Sequence, residues 1–101
     1  MRDPETLSEV KKYLDLLSKK APGHSVEVRI PPYSAIQCVP GPVHKRGTPR
    51  AVIEMNAETF LKLSTGKLLW QDGINQGVIN ASGERANLDG YFPLIRGTVR
   101  S

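Results

Sequence analysis

The stretch "FLKLSTGKLLWQDGINQG" (residues 60–77) decides how the second half of the chain folds, and its "STGK" resembles the end of a phosphate-binding loop. Such a loop needs G-x-x-x-x-G-K-[ST], because backbone N–H groups must wrap the phosphates and a hydroxyl must reach magnesium. Leu61 stands at the first Gly position and Leu68 at the hydroxyl position. We therefore interpret Gly66 as a left-handed helix end and Lys67 as a cation at the negative end of the helix dipole.

Around this stretch, the sequence predicts two further helices. Asn56 is a natural N-cap for a helix that ends at Gly66. A short helix should follow over residues 69–76, with Trp70, Gly73 and Ile74 on one side. The inner stripe of the first of these helices should comprise Ala57, Phe60, Leu61, Leu63 and Ser64. Gly77 should end the second.

The N-terminal segment has the pattern of an amphipathic helix. Asp3 and Pro4 are typical of a helix start, and Pro22-Gly23 should stop the helix. Spacings of three and four place one set of apolar residues on a common face: Leu7, Val10, Leu14, Leu17 and Ala21. Leu16 lies roughly opposite that face, where it is either exposed or in contact with a partner chain.

Four segments have the pattern of β-strands, and a last short helix should occupy residues 83–92. The strands are "SVEVRI" (25–30), "AIQCV" (35–39), "AVIEM" (51–55) and "VINAS" (78–82). The first two should pair antiparallel, since the link between them is short. The weaker alternation of residues 51–55 suggests a strand buried on both faces.

Length and composition indicate one soluble globular domain over residues 1–101. The chain is 39% apolar and 24% charged, and carries a net charge of +4. No apolar run approaches the ~18 residues of a spanning helix. The first ten residues lack a hydrophobic signal region, and a single cysteine excludes an intrachain disulfide, so we expect a cytoplasmic location.

The basic residues are scattered, which is typical of a solubilising surface and does not indicate a nucleic-acid partner. One local patch stands apart, the loop "HKRGTPR" (residues 44–50). We regard it as a weak candidate for binding an anion, such as an acyl-CoA phosphate or an anionic membrane surface. Its candidate residues are His44, Lys45, Arg46 and Arg50.

The ordered set "FLKLSTGKL", a spacer ending in Gln76-Gly77, and "VINASG" resembles the signature half of the sterol carrier protein (non-specific lipid-transfer) family. The resemblance runs without gaps from about Val52 to Gly83. The segment "SVEVRIPPYSAIQCVPGPVHKRGTP" is similar to a compact bacterial branch of the same family. No single piece is specific, but their order is.

The resemblance implies an α/β (α+β sandwich) fold, with a mostly antiparallel sheet of about five strands covered by helices. It also implies an apolar cavity between sheet and helices for a fatty acid, acyl-CoA or sterol-like lipid, carried without a chemical step. The candidate lining residues are Phe60, Leu63, Leu68, Trp70, Ile74, Val78, Leu88, Tyr91 and Phe92. Each of these side chains is also of a kind that fills an ordinary packed core without a cavity.

Three alternatives stay open. Asp72 and Asn75 should point away from the side of the helix that carries Trp70, and a carboxylate facing the cavity would disfavour a long apolar ligand. Cys38 reads as a small buried hydrophobe without sequence signs of activation, although His44 could be a partner in space.

We predict no metal site, no cofactor and no enzyme activity. The competing function is a small protein-interaction module, able to form a homodimer through Leu16 or the tail and lacking a lipid cavity.

Overall fold

The computed structural model describes residues 3–41, 51–83 and 86–95. Its elements are α1 (Pro4–Lys20), β1 (Val26–Ile30), β2 (Ser34–Cys38), β3 (Ala51–Glu54), α2 (Ala57–Thr65), α3 (Trp70–Gln76) and β4 (Asn80–Ser82), followed by a 3₁₀ turn at Asp89–Tyr91. This order matches the sequence-based expectation, with boundaries shifted by one or two residues. The last helix is the exception.

Helix α1 begins where its capping residues require. The Asp3 carboxylate accepts the backbone N–H of Glu5 (3.4 Å) and the Thr6 hydroxyl (2.7 Å), and the Thr6 hydrogen bond lowers the pKa of Asp3. The buried face comprises Val10, Tyr13, Leu14 and Leu17. Tyr13 was not in the predicted stripe. Leu16 is half-buried and packs against the core, so it is not freely exposed on the opposite side.

The strands form one mixed sheet in the order β2-β1-β3-β4. β1 pairs antiparallel with β2, and β3 pairs antiparallel with β4, while β1 and β3 are parallel. The α+β class and the antiparallel β1–β2 pairing are therefore confirmed. The described residues contain four strands, not five, and residues 42–50, which connect β2 to β3, lie outside them.

The two faces of the sheet differ in polarity because β1 alternates strictly. Val26, Val28 and Ile30 are fully buried against the helices. Glu27 and Arg29 point to the other face, where their side chains pair at 2.7 Å. In β3, Val52 is half-buried whereas Ile53 is fully buried, so this strand also has a more exposed side. The core thus lies between the sheet and helices α1 and α2.

The "STGK" stretch is a helix end. The Asn56 side chain accepts the Thr59 backbone N–H (2.8 Å) at the start of α2, and Gly66 at its end has φ 83°. The backbone N–H of Lys67 bonds back to the Lys62 carbonyl at 2.8 Å. These amides are consumed in closing the helix, which confirms the interpretation of Gly66 as a left-handed cap.

Candidate functional site

Three aromatic rings from separate elements meet on the helical side of the sheet. The rings of Trp70 and Phe92 are stacked, with centroids 6.3 Å apart and an interplanar angle of 11°. Phe60 in α2 meets Phe92 edge-on, with centroids 6.3 Å apart at 82°. We call Phe60, Trp70 and Phe92 the aromatic cluster. Both geometries are favourable for aromatic pairs.

The element that carries Trp70 is short and weakly fixed at its start. Helix α3 has seven residues, and Leu69 at its N-cap position provides no side-chain hydrogen bond. Gly73 lies against Ile79, so closely that a Cβ there would overlap Cδ1 of Ile79. Leu69 is 67% exposed and Val78 is 38% exposed. Apolar side chains therefore reach solvent at both ends of α3.

Residues 92–95 carry the Phe92 ring of the aromatic cluster and run past the end of α2; we call them the strap. The backbone N–H groups of Leu94 and Ile95 both donate to the Ser64 carbonyl, at 2.9 and 3.2 Å. The Lys20 ammonium donates to the Pro93 carbonyl at 3.0 Å. The strap thus satisfies a carbonyl that the end of α2 would leave without an intrahelical partner.

The nine predicted lining residues occupy three kinds of position. Buried are Phe60, Leu63, Trp70 and Leu88, half-buried are Leu68, Ile74, Tyr91 and Phe92, and exposed is Val78. Three of the nine form the aromatic cluster. Ile79, which sequence reasoning missed, is buried at 5% exposure. The sequence pattern did not single out Ile79. Gly77 adopts a left-handed conformation and β4 begins only at Asn80, which changes the residue that faces inward.

The polar residues of α3 lie where the helix phase predicts. Asp72 and Asn75 are both exposed, and the Gln71 amide donates to the Asn75 side chain at 3.1 Å. No carboxylate of α3 is therefore buried beside the aromatic cluster. The side of α3 that faces the core carries Trp70 and Gly73.

A second concave feature lies between α1 and α2, and we call it the α1–α2 groove. It has a volume of about 510 Å³. Its lining comprises Thr6, Glu9, Tyr13, Glu58, Leu61, Lys62, Thr65 and Lys67, none of them a predicted lipid contact. The Lys62 ammonium and the Glu58 carboxylate pair across one turn at 3.2 Å.

A family comparison agrees with this architecture. The model of the family described as bacterial SCP ortholog, where SCP is sterol carrier protein, matches residues 3–94. The chain belongs to this family. Comparison with curated proteins gave no significant match.

In this sterol-carrier-type chain, Cys38 is buried and carries no sign of activation. Its side chain is fully buried, and burial raises the pKa of the thiol to about 11. The thiol is therefore protonated at neutral pH, and the thiolate is the nucleophilic form. This agrees with the interpretation of Cys38 as a small buried hydrophobe. His24 contacts Gln37 through Nδ1 at 3.2 Å, on the exposed side of β2.

Some predicted features of the sterol-carrier-type chain lie outside the described residues. The candidate anion-binding residues His44, Lys45, Arg46 and Arg50 all fall within residues 42–50. Within residues 3–41, 51–83 and 86–95, no group of three or more His, Cys, Asp and Glu side chains is placed to hold a metal ion. In the same ranges, no helix is both long and apolar enough to cross a membrane.

Proposed function

We propose that this sterol-carrier-type chain binds an apolar small molecule, a lipid acyl chain or a sterol-like ring system, against the aromatic cluster. The molecule is carried without a chemical step. The observation that supports the proposal is the stacking of Trp70 on Phe92 between two short elements, α3 and the strap. Family membership supports the class of ligand.

The site is a closed aromatic contact that a ligand opens. The stacked and edge-on rings contact one another, so a ligand would enter by separating Trp70 from Phe92. An aromatic pair is worth about 0.5–1.5 kcal/mol beyond its buried area. Each buried methylene gains about 0.8 kcal/mol. About two methylenes therefore offset the loss of one ring pair, and longer chains gain further.

Exposed apolar side chains mark the entry. Leu69 precedes Trp70 directly, and Val78 lies just beyond the C-terminal cap of α3. A ligand that passes Leu69 remains in apolar contact until it reaches the aromatic cluster. The stem of an acyl chain would cover both side chains, which removes apolar area from water.

The test uses Trp70, the only tryptophan of the chain, as an intrinsic probe. We expect 1-decanol to change the Trp70 emission saturably, and calorimetry to give a negative heat-capacity change from apolar burial. Leu69→Asp should weaken binding, because it places a carboxylate at the entry. Ala35→Asp is the matched control, since Ala35 is exposed on β2. Absence of a saturable change with decanol, a fatty acid and a sterol would contradict the proposal.

A second candidate is a protein-interaction module without a lipid cavity. The contacts of Phe92 with both Phe60 and Trp70 favour it, because a filled core needs no ligand, and the α1–α2 groove offers a surface for a partner. Extraction and mass spectrometry of protein purified from bacteria distinguish the two. Copurified lipid in a fixed ratio supports carriage. A lipid-free protein with a constant dimer in sedimentation supports the interaction module.

A further inference from the structure

The α1–α2 groove contains a buried tyrosine whose hydroxyl has no hydrogen-bond partner among the described residues. Tyr13 is only 6% exposed and lines the groove. Its ring is contacted by the Lys12 ammonium, 5.3 Å from the ring centroid, but its hydroxyl neither donates to nor accepts from a described residue. Buried polar groups are nearly always hydrogen-bonded, because an unsatisfied one costs free energy. We therefore expect the Tyr13 hydroxyl to be satisfied from the groove.

Two threonine hydroxyls of the groove are left with acceptor capacity alone. The Thr6 hydroxyl donates to the Asp3 carboxylate at 2.7 Å, and the Thr65 hydroxyl donates to the Leu61 carbonyl at 2.8 Å. A hydroxyl has one hydrogen, so each oxygen now offers only lone pairs to a further partner. The groove is therefore richer in acceptors than its threonines alone would suggest.

One side of the groove, formed by α1, suits a primary ammonium group. Thr6, Glu9 and Tyr13 all line the groove, and their spacings of three and four place them on one face of the helix. The Glu9 carboxylate is exposed and forms no ion pair with a described residue. An ammonium group has three N–H donors, and this face offers a carboxylate, a hydroxyl oxygen and a phenol oxygen to accept them.

The α2 side of the groove adds one cation that is not neutralised within the described part of the chain. Lys62 is paired with Glu58 at 3.2 Å. Lys67, which follows the left-handed Gly66, is exposed and forms no such pair. A ligand that carries only an ammonium group is repelled by Lys67, whereas a ligand that also carries a carboxylate is attracted at both of its ends.

We infer that the α1–α2 groove binds a small zwitterion whose ammonium group lies against Glu9 and Tyr13 and whose carboxylate pairs with Lys67. A short apolar spacer between the two charges covers the half-buried Leu61. The groove volume of about 510 Å³ lies within the range of small-molecule sites, roughly 300–1,000 Å³. The inference goes beyond the proposed function and is independent of it, because none of these residues belongs to the aromatic cluster.

The test compares 6-aminohexanoate with hexylamine and hexanoate at pH 7, where all three are charged and the apolar chains are similar. Affinities are measured by nuclear magnetic resonance of labelled protein, from the shifts of the Tyr13 and Leu61 amides. We expect 6-aminohexanoate to bind about two- to fivefold more tightly than either analogue, the usual effect of one exposed ion pair. Affinity should peak at one spacer length when 4-aminobutanoate and 8-aminooctanoate are added, because the protein charges hold fixed positions.

Two charge variants assign the ends of the ligand. Lys67→Met should bring the ratio of 6-aminohexanoate to hexylamine affinity close to one, because the carboxylate loses its partner. Glu9→Gln should do the same for the ratio of 6-aminohexanoate to hexanoate affinity. Glu5→Gln is the matched control, since Glu5 is exposed on the same helix but does not line the groove. It should leave both ratios unchanged.

Tyr13→Phe tests the hydroxyl itself. It should weaken 6-aminohexanoate binding about two- to tenfold, the range for one hydrogen bond. It should leave the melting temperature unchanged, because the hydroxyl has no described protein partner to lose. Equal affinities for the three ligands, undiminished binding in Tyr13→Phe, or no shift of the Tyr13 and Leu61 amides would each overturn the inference. The proposed function is read separately from the Trp70 indole signal, so either can fail while the other stands.

Discussion

The aromatic cluster should contribute measurably to stability through ring contacts, and Phe92→Leu isolates that contribution. Leucine keeps an apolar side chain beside Trp70 and Phe60 but removes the stacked and edge-on geometry. Each aromatic pair contributes about 0.5–1.5 kcal/mol beyond its area, so loss of both should lower the free energy of unfolding by about 1–3 kcal/mol. For a domain of this size, that corresponds to a melting temperature lower by about 4–24 °C.

A double-mutant cycle with Trp70→Leu separates the stacked pair from general packing. Urea unfolding followed by far-ultraviolet circular dichroism serves all variants, including those that lack Trp70. We expect a coupling free energy of about 0.5–1.5 kcal/mol between positions 70 and 92. Tyr91→Leu is the matched control, because Tyr91 is half-buried in the adjacent 3₁₀ turn without a ring contact among the described residues. A coupling near zero, or a control that loses as much stability as Phe92→Leu, would refute the reasoning.

Three further predictions follow from local contacts. Asn56→Ala removes the cap of α2 and should lower the free energy of unfolding, measured in urea, by about 1 kcal/mol. The same change at exposed Asn75 should lower it much less. Equal losses would contradict the capping role. Gly73→Ala should destabilise the protein by about 1–2 kcal/mol despite the better helix propensity of alanine, because the added methyl overlaps Ile79; a stabilised variant would show that the contact relaxes freely. Burial raises the pKa of the Cys38 thiol from 9.0 to about 11. Between these two pH values, the folded state therefore binds more protons than the unfolded state. The free energy of unfolding should accordingly fall as pH rises from about 9 to about 11. Cys38→Ala should flatten that part of the pH profile, and an unchanged profile would contradict the assignment.

The sequence predicted most of the elements because their end signals are local. Asp3, Asn56, Gly66 and Gly77 act through hydrogen bonds within a few residues, and all four stand at the helix ends expected of them. The strand alternation of residues 25–30 was equally local. The parallel pairing of β1 with β3 was not predictable in this way, because strands that are distant in the sequence leave no local signal of which neighbour they pair with.

The candidate site was predictable in composition but not in packing. Phe60, Trp70 and Phe92 were all among the proposed lining residues, yet their spacing in the sequence gave no indication that the rings would meet. The last helix was overestimated, since Gly90 lowers helix propensity and Pro93 ends the segment, leaving a single 3₁₀ turn at Asp89–Tyr91. The hydrogen bond from Lys20 to the Pro93 carbonyl was not predictable, because the two residues lie 73 positions apart in the sequence.

The most direct test of the account is a titration of isotopically labelled protein with 1-decanol, followed by nuclear magnetic resonance. The Trp70 indole gives one resolvable N–H signal, because the chain has a single tryptophan. We predict that the chemical shifts of this indole signal and of the Phe92 amide change saturably with decanol concentration. Both titration curves should fit the same single-site dissociation constant. Shifts confined to Tyr13 and Leu61 in the α1–α2 groove, or no shift at all, would contradict the assignment of an apolar ligand to the aromatic cluster.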